Sequence, residues 1–106
     1  MVRAAAALLM HLLTTPVVSE TVAVGDRARV DLKNFECRDI TRSSIVQRVC
    51  YDRDQGRLIV AVNGAYSQYC NLPAATFDAL MGAPSMGQFF NRQIRNASAA
   101  SFACRN

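Results

Sequence analysis

Four cysteines, one histidine and a pair of aspartates are the residues of this chain with the most chemistry to offer. Cys37, Cys50, Cys70 and Cys104 are widely spaced, with no C-x-x-C pair. Structural zinc sites and thioredoxin-like redox sites are both built on close cysteine pairs, so neither fits, and no metal or cofactor is expected. An even count in a small exported chain points instead to disulfides. The single histidine, His11, lies in a stretch that the chain is expected to lose. Without it there is no imidazole base, and Ser-His-Asp and Cys-His catalysis are closed. Asp52 and Asp54, beside Tyr51, are the nearest approach to a catalytic carboxylate pair. Followed by Gln55 and Gly56, they read more plainly as turn residues that bond their own backbone. Ser85 has no base to activate it and reads as a helix N-cap. The expected chemistry is cross-linking and binding, and the chain is not expected to be an enzyme.

The stretch expected to be lost is residues 1–19. Arg3 is followed by an apolar run from Ala4 to Leu13, then Pro16 and the small-residue site Val17-Val18-Ser19. That order matches a secretory signal peptide. The run is too short for a transmembrane helix, which needs about 20 apolar residues, so no membrane span is expected after cleavage. The cut is expected after Ser19, with the bond after Ala23 as second candidate. Removing residues 1–19 leaves 87 residues, and the net charge of +4 falls to +3 as Arg3 leaves. A chain of that size has a limited core and gains from cross-links. With 51% hydrophobic and 19% charged residues it is globular in composition, neither disordered nor collagen-like. The expected location is the bacterial periplasm or the exterior.

The elements that must position these residues are clearest after Ser43. Ser44–Tyr51 is rich in β-branched and aromatic residues, with Ile45, Val49 and Tyr51 assigned to one face and Val46, Arg48 and Cys50 to the other. A turn ending in Gly56 leads into a second strand, Arg57–Val62. Asn63-Gly64 is a strong hairpin signal, and Ala65–Leu72 is a third strand. Pro73 opens a helix with a Phe77, Leu80, Met81 stripe, and Gly82 fits its C-terminal cap. After Pro84, Ser85 starts a second helix that places Met86, Phe89, Phe90 and Ile94 on one face. The expected fold is α+β: a three-stranded antiparallel meander followed by two short helices packed on one sheet face, stapled by disulfides. Upstream, Val24-Gly25-Asp26 looks like a turn. Arg29–Leu32 is a candidate short strand, because Val30 and Leu32 alternate with charges.

Four cysteines allow three pairings. In a meander Cys37 precedes the first strand and Cys50 sits near its far end. Thirteen residues of extended chain span roughly 40 Å. Disulfide Cα atoms sit about 4.4–6.8 Å apart, so Cys37–Cys50 fails unless the chain doubles back. Cys70 lies at the same end as Cys50, so Cys37–Cys70 fails similarly. The expectation is Cys50–Cys70 with Cys37–Cys104, although Cys50 and Cys70 would have to converge across an intervening strand.

Between Ser43 and Ile94 the chain resembles the KTSC domain, a short module found at the C-terminus of some lysyl-tRNA synthetases and as a stand-alone bacterial protein. The resemblance rests on Ser44, Tyr51-Asp52, Tyr69, Pro73 and the run Ser85, Gly87, Phe90, Asn91. The first Tyr of the family's central Tyr-x-Tyr aligns with Ser67, with Tyr66 one place early. The layout expected on this basis is a signal peptide at 1–19, an N-terminal extension at 20–42, the KTSC-like domain at 43–95 and a tail at 96–106. The resemblance implies a small α+β module with no known catalytic residues, and RNA binding only as a supposition.

Tyr51, Tyr66 and Tyr69, with Arg48 and Arg57 among nearby arginines, are the candidate binding residues, since aromatics flanked by Arg can stack bases and neutralise phosphates. The plainer reading is sheet packing with a solvated rim. The modest charge and the interspersed carboxylates favour it. Asn91 reads as a tie between the second helix and nearby backbone. The function expected is a small non-catalytic binding or interaction module with an envelope protein as partner. A nucleic-acid module using the strand Tyr and Arg residues is the alternative, disfavoured by export.

Overall fold

The computed structural model describes residues 20–25, 28–96 and 102–104. The expected signal peptide and His11 lie outside these. Strand β1, Thr21–Val24, turns Val22 and Val24 inward. It pairs antiparallel with β2, Ala28–Asp31. Strand β3, Glu36–Asp39, is antiparallel to β4, Val46–Asp52. Strands β5, Arg57–Val62, and β6, Ala65–Tyr69, continue antiparallel from β4. The sheet order is β2-β1-β6-β5-β4-β3. Among the described residues one pairing is parallel, β1 with β6 at Val24 and Tyr66.

The expected three-stranded meander is therefore overturned: the sheet has six strands and is mixed. Strands β4–β6 follow one another as antiparallel neighbours, but they are the inner part of a larger sheet. The upstream strands are short, four residues each, and β3 reads Glu-Cys-Arg-Asp with no apolar alternation. It is a strand because β4 offers it a ladder, not because of its own propensity.

One connection fixes the sheet's curvature. Leu32–Phe35 joins β2 to β3, the two outermost strands. Laid flat, six strands would set these about 24 Å apart. Five residue steps from Asp31 to Glu36 reach at most about 18 Å. The sheet must roll, and it forms a half-barrel.

The turns follow their residues. Asn63 and Gly64 have φ of 51° and 80°, as a two-residue hairpin between right-twisted strands requires. Gly56 has φ 66°, and a Cβ there would sit 3.1 Å from the Leu72 carbonyl oxygen. Both torsion and space demand glycine. Between β4 and β5 an irregularity at Gln47 adds a residue to β4. That bulge corrects the expected facing of β4: Val46 joins Val49 and Tyr51 under the helices rather than Arg48 and Cys50.

Two short helices follow β6. Helix α1, Ala74–Gly82, buries Phe77 and Leu80 against the sheet. Its C-terminus corrects another expectation, since Gly82 does not act as a left-handed cap. Ala83 follows in an extended conformation, and Arg42 donates to the carbonyls of Met81 at 2.7 Å and Ala83 at 2.8 Å. A guanidinium supplies donors that the helix end lacks. Helix α2, Met86–Phe89, is capped by Ser85, whose Oγ accepts from the Gln88 N–H. It widens into a π-helical segment, Phe90–Arg95, closed by the Asn96 N–H on the Asn91 carbonyl. Gly87 leaves room for Ile45, whose Cδ1 would lie 3.0 Å from an added Cβ.

The helices cover a core of Val46, Val49, Tyr51, Leu58, Val60, Leu72, Phe77, Leu80, Met86, Phe90 and Ile94. The other face holds a smaller cluster: Val22, Val24, Val30, Leu32, Cys50 and Ile59, with Phe35, Cys37 and Tyr66 packed on it.

The disulfides are Cys37–Cys50 and Cys70–Cys104, not the expected pairs, and all four cysteines are bonded. The chain does double back. The Ser43 Oγ accepts the N–H groups of Ile45 and Val46, and Ile40 bonds to Gln47. This reversal lays β3 beside β4 with Cys37 directly opposite Cys50, Cα atoms 4.0 Å apart.

Candidate functional site

The register divides the candidate binding residues between faces. Tyr51, Leu58 and Tyr69 form one row under the helices, while Arg48, Ala61 and Tyr66 form another on the far face. The expected grouping of Tyr51, Tyr66, Tyr69, Arg48 and Arg57 is not a single surface.

Tyr51 is 1% exposed. Its hydroxyl donates to the Leu72 carbonyl at 2.6 Å, and its ring stacks on Phe77 with centroids 4.3 Å apart. Burial pushes its phenol pKa up. Arg53 lies over both rings and pairs with Asp78 at 3.1 Å. This is an internal clamp, and no base or ligand can stack on Tyr51.

Arg48 is similarly engaged. It grips both carboxylate oxygens of Glu20 at 2.5 and 2.7 Å, donates to the Tyr66 hydroxyl at 3.2 Å and lies 3.6 Å from Asp39. The bidentate bond holds the Glu20 carboxyl below its ordinary 4.5 and raises Arg48 further above its own. Arg57, half-buried, faces Asp52 in the β4–β5 register. The Asp52 Oδ1 accepts the N–H groups of Asp54 and Gln55, so this pair does turn work. Ser44 is exposed; its neighbour Ser43 makes the turn bonds. Asn91 closes the π-helical segment through its carbonyl, and its Oδ1 is buried without a partner among the described residues. The expected side-chain tie to strand or loop is not among the hydrogen bonds of those residues. No cluster of His, Cys, Asp and Glu among the described residues could hold a metal. No helix among them is long and apolar enough to cross a membrane.

Of the clefts among the described residues, two adjoin in a strip along β6, apart from a wider one at the start of β1 that Glu20 lines. Tyr69 packs edge-on against Phe90, centroids 5.7 Å apart, and accepts a 3.3 Å bond from Ser67. A shallow cleft of about 260 Å³ is lined by Asn63, Tyr66, Ser67, Tyr69, Phe90 and Arg95, among others. A second, of about 320 Å³, is lined by Gln68, Tyr69, Ile94, Arg95, Phe102 and Cys104. Tyr69 and Arg95 belong to both, and none of the described residues lining either carries a carboxylate. The outer edge of β6 meets β1 at Tyr66 and receives Phe102 at the Cys70 N–H. The Oε1 of Gln68, between those contacts, is buried without a partner among the described residues. Arg95 and Gln68 escaped the sequence reading; Arg92 and Arg95, three apart in a helical run, were the available signal.

Comparison with known proteins fits this architecture. No curated protein matches the chain. The crystal structure of a KTSC domain protein from Yersinia pestis is similar, with a TM-score of 0.58 at 26% identity, over 68% of this chain and 96% of that one. The family model of the KTSC domain matches residues 42–97, more than half the chain. The residues that carry the motif pack the helix side, through Tyr51, Tyr69 and Phe90, or shape its turns and caps, through Asp52 and Ser85. By that match, and by a fold shared with a solved member, the chain belongs to the KTSC domain family.

Proposed function

We propose that the chain is an exported, non-catalytic binding module that holds an acidic, extended segment of an envelope protein along β6. The carrying observation is the pair of clefts that share Tyr69 and Arg95, with no carboxylate among the described residues of either lining. The aromatic floor, the Arg95 cation and the hydroxyl groups suit a peptide with one or two carboxylates. Export is supported by the leader pattern of residues 1–19 and by four cysteines that are all bonded. The nucleic-acid alternative needs several free cations along a track. Arg48, Arg53 and Arg38 are each paired with carboxylates, and Arg42 is spent on helix carbonyls.

The test is an NMR titration of the oxidised protein with a Glu-rich hexapeptide, its Gln counterpart and single-stranded RNA. The Glu peptide is expected to shift the amides of Gln68, Tyr69 and Arg95, with a response that weakens as salt rises and vanishes in Arg95→Glu. Silence from the Glu peptide, or tighter binding of RNA at this strip, overturns the reading.

A further inference from the structure

Export leaves two candidate bonds for removal of the leader, after Ser19 and after Ala23. We infer that the chain is processed between Ser19 and Glu20, so that Glu20 is the first residue of the working protein. This rests on the export reading above. The folded part assigns a task to each of the four residues at stake. The Glu20 carboxylate takes both terminal nitrogens of Arg48, and its carbonyl accepts the Leu32 N–H at 2.7 Å. Thr21, Val22 and Ala23 face Asp31, Val30 and Arg29 in the β1–β2 ladder, and Val22 is 7% exposed in the second core.

A cut after Ala23 would remove three of that ladder's four register pairs and one of its inward valines. It would also strip the Arg48 guanidinium, whose side chain is 21% exposed, of its bidentate partner. That half-exposed pair adds less than about 1 kcal/mol, so the heavier loss is the ladder and the buried Val22. A cut after Ser19 removes none of these contacts. The peptidase meets the chain before it folds, so the structure does not shield either bond. It decides which product folds and survives. The local sequence allows this cut: Ser19 is small and Val17 is an uncharged aliphatic residue at the two positions a signal peptidase reads.

The experiment expresses the full chain with its own first 19 residues in an exporting bacterial host. Protein recovered from the periplasm without reductant is read by N-terminal sequencing and intact mass. The expected product starts at Glu20 and carries two disulfides. A product starting at Val24, or anywhere else downstream of the leader, overturns the assignment and leaves the export reading standing. An uncut chain beginning at Met1 in the cytosol overturns the export reading itself. Ser19→Leu, which places a bulky side chain before the proposed bond, is expected to accumulate uncut precursor. An unchanged Glu20 product from that variant counts against peptidase recognition of Ser19.

Discussion

Under the helices the sheet buries Tyr51, Leu58, Phe77, Leu80 and Phe90 to 0–3% exposure, whereas Val22, Val24, Val30 and Leu32 on the far face keep 6–8%. The first face is closed by large side chains, by a Tyr51–Phe77 stack and by two helices. The second sets aliphatic residues of the short upstream strands over Cys50 and Ile59, with no helix above them, and it is held by other means as well. Cys37–Cys50 links its outermost strand to β4, and the Arg48–Glu20 clamp ties the start of β1 to β4. Where apolar area suffices, packing closes the sheet; where it does not, a covalent bond and an ion pair share the task.

The contrast can be broken hardest on the helix side. Phe77→Ala removes a 3% exposed ring and its stack on Tyr51, and is expected to cost about 3–5 kcal/mol by urea unfolding. If the loss is below that range, the helix face is less dependent on packing than described. Removing the Cys37–Cys50 link with paired alanines is expected to cost about 3 kcal/mol, from a closed loop of 13 residues. Near-ultraviolet circular dichroism should still report an intact Tyr51 environment, because the loss falls on the opposite face. Gly56→Ala forces an L-residue to φ 66° against the Leu72 carbonyl and is expected to cost roughly 1–3 kcal/mol in the same assay.

The smallest effect sharpens the comparison most. Glu20→Gln is expected to cost less than about 1 kcal/mol at neutral pH, since this carboxylate is half exposed. The folded protein holds the Glu20 pKa below 4.5, so the clamp's contribution is complete above the unfolded value and fades as pH falls through the folded one. Thermal melts of parent and variant should therefore differ at pH 7 and converge in acid. Curves that stay parallel into acid would show that Glu20 acts by packing alone.

Sequence reasoning reached the inner strands because each carries its own signal: Asn63-Gly64, Gly56 and runs of β-branched residues. It reached the helices because Phe77, Leu80, Phe90 and Ile94 repeat at helical spacing. It did not reach β3, where Glu36, Arg38 and Asp39 are exposed and pairing with β4 alone makes a strand. Missing β3 also lost the disulfide pairing, since only the reversal at Ser43 brings Cys37 to Cys50. At the candidate site Tyr69 was legible as a strand aromatic. Arg95 was not, because its place depends on the widened turn of Phe90–Arg95, which local spacing does not announce.

The four-residue connection between β2 and β3 acts as a leash on the two margins of the sheet. Neither margin can swing outward without pulling on the other, so loosening at β2 is transmitted to β3 without crossing the strands between them. A partner that pried the half-barrel open would first draw this leash taut. Lengthening it with a few glycines would uncouple the margins and let the sheet relax toward a flatter form.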